Sequence, residues 1–407
     1  MKKRFLIWDN PQQAVIMLVL VLLVIGSINV FSATYIEAAA TGSHDALAYF
    51  KKYWLNVIAA LIFGFFPAYH FGYKRILSWS WLRELSIIGI FGMLLLLFIK
   101  RHDPGWAING AVRWLPLPGI SLQPSEFAKI EVILLAAYVL DRMRRQNQQV
   151  SFFTHNAEFW KLIVITLIYS GLVYKQPDMG TATIIFGLVV LMIIIAGLPF
   201  RQLLLMLGSV VGLGGAVALA APYRLKRFQY WLNPWLDAAG DGYQGVQAQL
   251  AIGSGGFWGS NWDYAASRFF HLPEAHTDFA FAFFCHENGL AGALVLILLF
   301  ILLAWSFIAI TRNAKDMRSF LLSAGITFLV IGQSFANIAM VCGVLPIIGV
   351  PLAFISYGGT SMFVNMFCVG LLLSIYQEEK REAELAGMSP DTRREDLRVV
   401  HSRGYKG

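Results

Sequence analysis

The chain has 407 residues, of which 57% are hydrophobic and only 14% are charged, and its formal net charge is +8. A soluble domain usually carries about 25% charged residues, so this composition excludes an ordinary soluble protein. The Lys and Arg residues are spread through the loops, so the positive charge does not indicate a nucleic-acid-binding protein.

Ten apolar blocks follow one another along the chain, and we predict that each forms a transmembrane helix. They lie near residues 13–33, 54–71, 84–99, 125–141, 160–174, 181–198, 203–221, 279–310, 319–342 and 354–376. Only helices and closed barrels satisfy their backbone in lipid, and barrel strands would be short and alternating. The predicted fold is an all-α polytopic membrane bundle of about ten helices. It occupies residues 1–376, and a cytoplasmic tail follows at 377–407.

The loops on one side of the predicted bundle hold most of the Lys and Arg residues, and the positive-inside rule makes that side cytoplasmic. Both termini then lie in the cytoplasm. The longest loop, residues 222–278 between the seventh and eighth helices, lies outside. Outer segments retain cations against the rule, which indicates an anionic ligand unless the rule is simply relaxed here. These cations are Lys100, Arg101, Arg113, Arg224, Lys226, Arg227 and Arg268.

The long outer loop is too rich in Trp, Tyr and Phe to be a disordered linker, and such rings suit the membrane interface. Its run Ala251–Gly256 contains several glycines, which let a backbone approach a ligand or another backbone closely. Taken alone, a run of this kind is a weak signal.

Ionisable side chains at membrane depth are costly and therefore mark candidate functional positions. Glu126 and Lys129 open the fourth predicted helix, and their i, i+3 spacing places them on one face. They form either a buried ion pair that fixes helix packing or part of the lining of a site. Asp178, in the break before the sixth helix, is predicted to cap that helix. Pro and Gly residues at 345–360 interrupt the last span, which is tolerated where such backbone lines a cavity or packs on protein.

The densest polar cluster lies in the segment 272–278, where the outer loop meets the eighth predicted helix. It contains Glu274, His276, Thr277 and Asp278. Their spacing matches no recognised zinc pattern, which disfavours a metal site. Capping of the eighth helix by Thr277 or Asp278 is one interpretation. The interpretation that we favour is a carboxylate base held at the lip of an outer cavity.

Several short runs occur in a characteristic order along the chain. They are Gly110–Leu115, Gln123–Glu126 with Lys129, Gln176–Asp178 with Gly180–Thr181, Gly242–Gln244 with Gln247, Ala251–Gly256, Leu272–Phe279 and Ile355–Gly359. In these runs the chain resembles the SEDS family, the RodA/FtsW/SpoVE group of peptidoglycan polymerases, over roughly residues 13 to 377.

The resemblance implies a fold of ten helices with both termini inside the cell. It also implies glycosyltransfer on lipid II, a disaccharide-pentapeptide on undecaprenyl diphosphate, with a β-1,4-linked glycan strand made outside the cytoplasmic membrane. The implied partner is a class B penicillin-binding protein, a transpeptidase, together with components of the divisome or elongasome. No cofactor is implied with certainty, and a role for a divalent cation stays open.

The resemblance also implies roles for individual residues. The essential residue of the family's His-Thr-Asp run falls on Asp278, which we expect to act as the base on the acceptor's 4-hydroxyl. Arg113 is expected to stabilise the leaving diphosphate, with Lys129 and Arg224 as weaker candidates. The other expected substrate contacts are Glu126, Gln244, Gln247, Glu274, His276 and Thr277.

The chain departs from the family pattern at 258–261, at 285–288 and at Ala353, which leaves the mode of activation open but not the reaction. Features at 235–244 and 273–275 resemble the division type of the family, whereas 176–178 and 349–351 resemble the elongation type. The balance slightly favours division.

Two other functions stay open from the residues alone. Broken helices and polar residues at membrane depth are equally typical of a transporter or a flippase of lipid-linked precursors. A non-catalytic scaffold of the cell-wall machinery is the third hypothesis, and it would tolerate the loss of Asp278.

Overall fold

The computed structural model describes residues 10–41, 47–107, 111–117, 120–206, 208, 229–260 and 272–387. Seven of the described helices are long and apolar enough to cross a membrane. This confirms the predicted all-α polytopic membrane bundle, whereas the predicted count of about ten spans is not confirmed.

The described helices follow the predicted blocks closely. Every block overlaps described helical residues, the seventh only at 203–206 and 208, because the rest of it, up to 221, lies outside the described residues. In chain order the helices are α1 (Pro11–Thr41), α2 (Ala48–Ala60), α3 (Phe66–Ser78), α4 (Ser80–Ile99), α5 (Pro124–Arg145), α6 (Ala157–Lys175), α7 (Met179–Ile195), α8 (Tyr243–Ser254), α9 (Ala280–Asn313), α10 (Met317–Thr327), α11 (Gln333–Val341) and α12 (Gly359–Gly387).

Two helices of the bundle fall outside the seven clear spans for identifiable reasons. Helix α5 buries Glu126, Lys129 and Glu131 in its first half, so its sequence is too charged for a simple apolar span. Helix α7 is apolar but has only 17 residues. Both pack against neighbouring helices, so protein rather than lipid surrounds much of their surface.

Irregular turns interrupt three of the long helices. A π-turn, which inserts an extra residue into a helical turn, joins α2 to α3 at Leu61–Phe65. A second π-turn joins α10 to α11 at Phe328–Gly332. Helix α9 kinks at Gly289, whose φ of 64° is a conformation that glycine adopts without strain.

A short hairpin leads into the first turn of α5. Strands β1 (Leu115–Leu117) and β2 (Ile120–Leu122) pair antiparallel. The backbone N–H of Gln123 then donates to the Thr360 hydroxyl at 3.1 Å. The hairpin therefore ties the start of α5 to the start of α12.

Residues 344–358, between α11 and α12, form an irregular segment that is exposed at 344–347 and packs inside the protein at 352–356. The Tyr53 hydroxyl donates to the Phe354 carbonyl at 2.7 Å. Gly26 of α1 lies so close to this carbonyl that a Cβ at that position would collide with it. Of the two settings left open for this broken backbone, lining a cavity or packing on protein, residues 352–356 show the second.

The last helix continues beyond residue 376, where the cytoplasmic tail was predicted to begin, and ends at Gly387. Lys74 holds this extension by ion pairs with Glu378, at 3.0 Å, and with Glu382. The rest of the predicted tail, residues 388–407, lies outside the described residues.

Candidate functional site

Asp278 lies in the turn that immediately precedes α9. Its Oδ2 lies 3.3 Å from the position of a Cβ built on Gly349, so its carboxylate faces the irregular segment 344–358. Among the described residues this carboxylate accepts no hydrogen bond, which leaves its oxygens open to a ligand. A carboxylate without protein partners at the end of a membrane helix suits a role as a base.

The turn before α9 is fixed by Glu274 and Thr277 rather than by Asp278. The Thr277 hydroxyl donates to Glu274 Oε2 at 2.6 Å, and the N–H groups of Thr277 and Phe279 donate to the Glu274 carbonyl at 3.0 and 3.1 Å. The N-cap residue of α9 is Phe279, and no side chain caps it. Helix capping by Thr277 or Asp278 is therefore wrong, which removes the main structural alternative for the carboxylate.

Asn337, which is fully buried in α11, holds the turn that carries Asp278 through a hydrogen bond to its backbone. Its amide donates to the Asp278 carbonyl at 2.8 Å and to the Val350 carbonyl at 2.6 Å. One side chain thus joins the backbone of Asp278 to the irregular segment opposite its carboxylate. Sequence reasoning missed this residue, although a buried amide in an apolar helix, four residues after Gln333, was an available signal.

Asp178 is buried at the start of α7 and caps that helix, because its Oδ1 accepts the N–H of Thr181 at 3.1 Å. The predicted capping role is confirmed. Arg113 approaches the same turn and donates to the carbonyls of Gln176, at 3.3 Å, and Pro177, at 2.6 Å. Its partners in the described chain are therefore carbonyl dipoles, which leave most of its positive charge uncompensated.

The surroundings of Asp278 raise the pKa of its carboxyl group to about 7. Burial is the largest cause, and the nearby carboxylates of Glu274 and Asp178 add to it. The positive charge of Arg113 acts in the opposite direction. A base with a pKa near neutral is half ionised at neutral pH and can both take and release a proton there.

Glu126 and Lys129 lie behind the site, not on it. Their side chains are 4% and 1% exposed and pair at 2.7 Å. Lys129 Nζ also donates to Gln333 Oε1 at 2.8 Å, and the Gln333 amide donates to the Pro351 carbonyl at 3.2 Å. Of the two roles left open by the sequence, this geometry supports the buried pair that fixes packing, and the expected substrate contact stays a prediction.

The glycine-rich run approaches another backbone rather than an open space. A Cβ on Gly255 would collide with the Cys285 carbonyl, and one on Gly259 with the Glu287 carbonyl. The N–H of Leu290 donates to the Gly256 carbonyl at 2.9 Å. The end of α8 is therefore docked directly on the first turns of α9.

A buried histidine fastens this contact. The His286 ring lies between Ser254 and Ser260, with its Nδ1 2.8 Å and its Nε2 2.9 Å from their hydroxyl oxygens. His286 and Ser260 both belong to the runs that depart from the family pattern. These departures therefore form a local contact between α8 and α9 away from Asp278.

The remaining predicted contact residues lie on α8, beside the site, or outside the described residues. Gln244 and Gln247 are half-buried on one face of α8, and none of the contacts among the described residues joins them to Asp278. His276 packs against two tyrosine rings beside the site. The outer cations Arg224, Lys226, Arg227 and Arg268 lie outside the described residues. Within those residues, no group of three or more His, Cys, Asp or Glu side chains could hold a metal ion.

A family model for cell cycle proteins of the FtsW/RodA/SpoVE type matches residues 12–381. A Trichlorobacter lovleyi protein named "Probable peptidoglycan glycosyltransferase FtsW" is 35% identical over 366 residues, which cover 88% of this chain and 92% of that protein. Stage V sporulation protein E of Bacillus subtilis is 32% identical over 368 residues, which cover 90% of this chain and 97% of that protein.

Solved structures share the fold. One chain of a peptidoglycan synthase complex, solved in work on the coordination of polymerization and crosslinking, aligns with a TM-score of 0.71 at 23% identity. The alignment covers 90% of this chain and 97% of that chain. The Thermus thermophilus rod shape determining protein RodA aligns with a TM-score of 0.56 at 24% identity, covering 90% of this chain and 96% of RodA.

Proposed function

The chain belongs to the FtsW/RodA/SpoVE family of cell cycle proteins, and from this membership we propose that it is a peptidoglycan glycosyltransferase that polymerises lipid II. The observation that carries the proposal within the site is Asp278. It is a carboxylate without a described hydrogen-bond partner, held in a fixed turn, with a pKa raised to about 7.

The proposed reaction joins two lipid-linked disaccharides. Asp278 takes the proton from the acceptor's 4-hydroxyl as that oxygen attacks the anomeric carbon of the donor sugar. The bond between that carbon and the diphosphate oxygen breaks, and undecaprenyl diphosphate leaves. Asn337 and the Glu274–Thr277 turn keep the carboxylate in place, because they fix the backbone on both sides of it.

The leaving diphosphate needs positive charge, and Arg113 is the described cation best placed to supply it. Its guanidinium is anchored on the carbonyls of the turn before α7 and interacts electrostatically with Asp278. A planar guanidinium suits phosphate oxygens because it presents paired N–H donors. A divalent cation, if one takes part, would enter with the diphosphate as a component of the substrate.

The lipid chain needs an apolar surface at membrane depth. A cavity of about 250 Å³ between α3, α4, α5 and α12 is a candidate, and its walls are mostly apolar, with Arg83, Ser86 and Glu131 as the polar residues of its lining. Its lining includes Ile90, Phe127, Leu134, Phe363 and Phe367. This cavity would hold part of a polyprenyl chain beside α5, the helix whose first turn lies behind the site.

The proposed location is the cytoplasmic membrane, with both termini inside and the site on the outer face. The basic loops support this orientation. The proposed partner is a class B penicillin-binding protein, since one neighbouring structure belongs to a peptidoglycan synthase complex. A role in division is favoured over elongation because the relatives in several organisms are named FtsW.

The deciding experiment is synthesis of glycan strands from lipid II by the purified protein in detergent, with and without a class B partner. We expect polymer in the presence of the partner and almost none from the Asp278→Asn variant. Because detergent micelles have no two sides, a flippase would produce no signal in this assay. Absence of polymer from the wild-type complex would overturn the proposal.

A further inference from the structure

Three rings form a cluster at the outer side of the site. Tyr49, near the outer end of α2, packs against His276 with 5.0 Å between ring centroids and against Tyr357 with 5.5 Å. The centroids of His276 and Tyr357 are 5.9 Å apart. Each ring thus touches the other two, and Tyr49 keeps 37% of its surface exposed.

This ring cluster is fixed to the loop that carries the carboxylate. The N–H of Tyr357 donates to the His276 carbonyl at 2.8 Å, and His276 lies only two residues before Asp278. The side chain of Asn56, on α2, faces the first residue of α12, since its amide atoms lie 3.2 Å from the position of a Cβ built on Gly359. The cluster therefore joins α2, the Asp278 turn and the start of α12, and its position relative to the carboxylate is fixed.

The rings and the cation occupy different parts of the site. Arg113 is held by the turn between α6 and α7, whereas the ring cluster is built on α2, the Asp278 turn and the segment before α12. Asp278 interacts with the first group through charge and is joined to the second through two residues of backbone. A substrate that reacts at Asp278 can therefore meet a diphosphate-binding surface and an aromatic surface with different portions of its structure.

An aromatic surface with polar edges matches the chemistry of a pyranose ring. The C–H groups on one face of a sugar carry partial positive charge, and the face of an aromatic ring is electron-rich. The tyrosine hydroxyls and the imidazole supply hydrogen-bonding groups at the rim. Lys52 Nζ lies 5.9 Å from the Tyr49 centroid and adds a cation near the exposed ring.

The simpler explanation for the exposed Tyr49 ring is that it anchors α2 at the membrane interface, because tyrosines are common where helices leave the membrane. Such an anchor needs no other rings and no link to the site. Tyr174, at the corresponding end of α6, fits that description, with 41% of its surface exposed. Tyr49 differs from Tyr174 because it packs against two other rings. These two rings are themselves linked to the site, since the Tyr357 N–H donates to the His276 carbonyl.

We propose that Tyr49, His276 and Tyr357 form a saccharide subsite that holds the acceptor's sugar ring while Asp278 removes its proton. The proposal rests on the proposed glycosyltransfer, since it assigns the acceptor to this surface. Tyr49 supplies the exposed face on which the sugar stacks. Tyr357 and His276 hold the Tyr49 ring in a fixed position relative to the Asp278 carboxylate.

The test measures binding rather than turnover. In an Asp278→Asn background, the affinity of the purified full chain in detergent is measured for lipid II and, separately, for undecaprenyl diphosphate, which carries no sugar. Tyr49→Leu is expected to weaken lipid II binding about three- to tenfold and to leave undecaprenyl diphosphate binding unchanged. Tyr49→Phe keeps the ring and is expected to bind lipid II within about twofold of the parent.

Tyr174→Leu is the matched control, because it removes an equally exposed ring from the outer end of another helix. Unchanged lipid II binding by Tyr49→Leu, or equal weakening by both leucine variants, would overturn the subsite. Equal weakening for lipid II and undecaprenyl diphosphate would overturn it as well, since the ring would then contact lipid. Failure of the catalytic proposal is distinguishable, because it appears as polymerisation by Asp278→Asn and not as a change in affinity.

Discussion

At the scale of single residues, the charge balance around Asp278 decides what this carboxylate can do. Burial and the carboxylates of Glu274 and Asp178 favour its neutral form, and Arg113 favours its ionised form. The resulting pKa of about 7 suits a group that must be ionised before the reaction and neutral after it. The activity of the protein should therefore follow the ionisation of this one group.

We expect the polymerisation rate to rise with pH through about 7 and to level off above it, because only the ionised carboxylate can accept a proton. Arg113→Gln removes the opposing cation, so it should raise the pKa and move the rise to higher pH. Asp178→Asn removes a like charge and should move the rise to lower pH, while Asn still caps α7. The measurement is kcat against pH for the three proteins. If the rate rises at the same pH in both variants as in the parent, this account of the charge balance is contradicted.

Asp278→Asn should fold normally and make almost no glycan. Loss of a general base typically costs about 10²–10⁴-fold in rate. A raised pKa means that ionisation of Asp278 opposes folding as pH rises toward 7, so the neutral amide should be no less stable than the parent at neutral pH. Gel filtration, thermal unfolding and partner binding check the fold, and strand synthesis checks the rate. Near-normal synthesis would exclude Asp278 as the base.

At the scale of structural elements, a chain of polar contacts links α5 to the site without touching a substrate. Glu126 and Lys129 pair inside the bundle. Gln333 is hydrogen-bonded both to Lys129 and to a carbonyl of the irregular segment 344–358. Asn337, one turn later on α11, connects that segment to the Asp278 turn. Loss of this chain should affect activity through the position of the backbone.

Removing one member of the buried pair should destabilise the protein by on the order of 3–5 kcal/mol, because a charge is left uncompensated. Lys129→Met and Glu126→Gln should each lower the folded yield and the unfolding temperature. The double variant should recover yield better than either single variant, since neither position then carries a charge without its partner. Lys74→Met is the control, because its pairs with Glu378 and Glu382 are exposed and such pairs contribute about 1 kcal/mol or less. Single variants that behave like this control would show that the pair is not buried in solution.

At the scale of the whole molecule, the sequence allowed the helices and the carboxylate to be predicted, since both are local signals. A block of apolar residues indicates a span, and Asp278 stands in a dense polar run. The contacts that hold the site could not be predicted in the same way. Asn337 and Gly349 meet Asp278 across about 60 and 70 positions of chain, and only the packing of separate helices brings them together.

The boundary of the last helix was missed for a related reason. The residues after 376 are charged, and such composition is typical of a flexible tail. The ion pairs of Lys74 with Glu378 and Glu382 give that stretch tertiary partners, which sequence composition does not reveal. The glycine-rich run was likewise identified as a close approach, but whether to a ligand or to a backbone was decided only by α9.

The orientation of the whole molecule can be tested by labelling with a membrane-impermeant thiol reagent on intact spheroplasts. Asp241→Cys, at an exposed position of the predicted outer loop, should be labelled without lysis, because the positive-inside rule predicts that this loop lies outside. Gln149→Cys, in the loop between α5 and α6, should be labelled only after lysis. Cys342 is exposed and must first be changed to Ser. The reverse pattern would invert the topology and would remove the proposed function with it.

The π-turn at Phe328–Gly332 takes up one extra residue in a wide turn, so α11 leaves it in the phase of a regular helix that is one residue shorter. The regular helix that follows has no such turn to absorb a change, and each of its residues advances the side-chain direction by about 100°. Deleting Ala336, between Gln333 and Asn337, would therefore turn Asn337 away from the Asp278 backbone, although composition and length would hardly change. We expect this deletion variant to enter the membrane but to make no glycan, as judged by folded yield and strand synthesis. Deleting Val330 is the matched control, because closing the π-turn to a regular turn keeps Gln333 and Asn337 facing Lys129 and Asp278. Full activity of the Ala336 deletion would contradict this account of how α11 is held in phase.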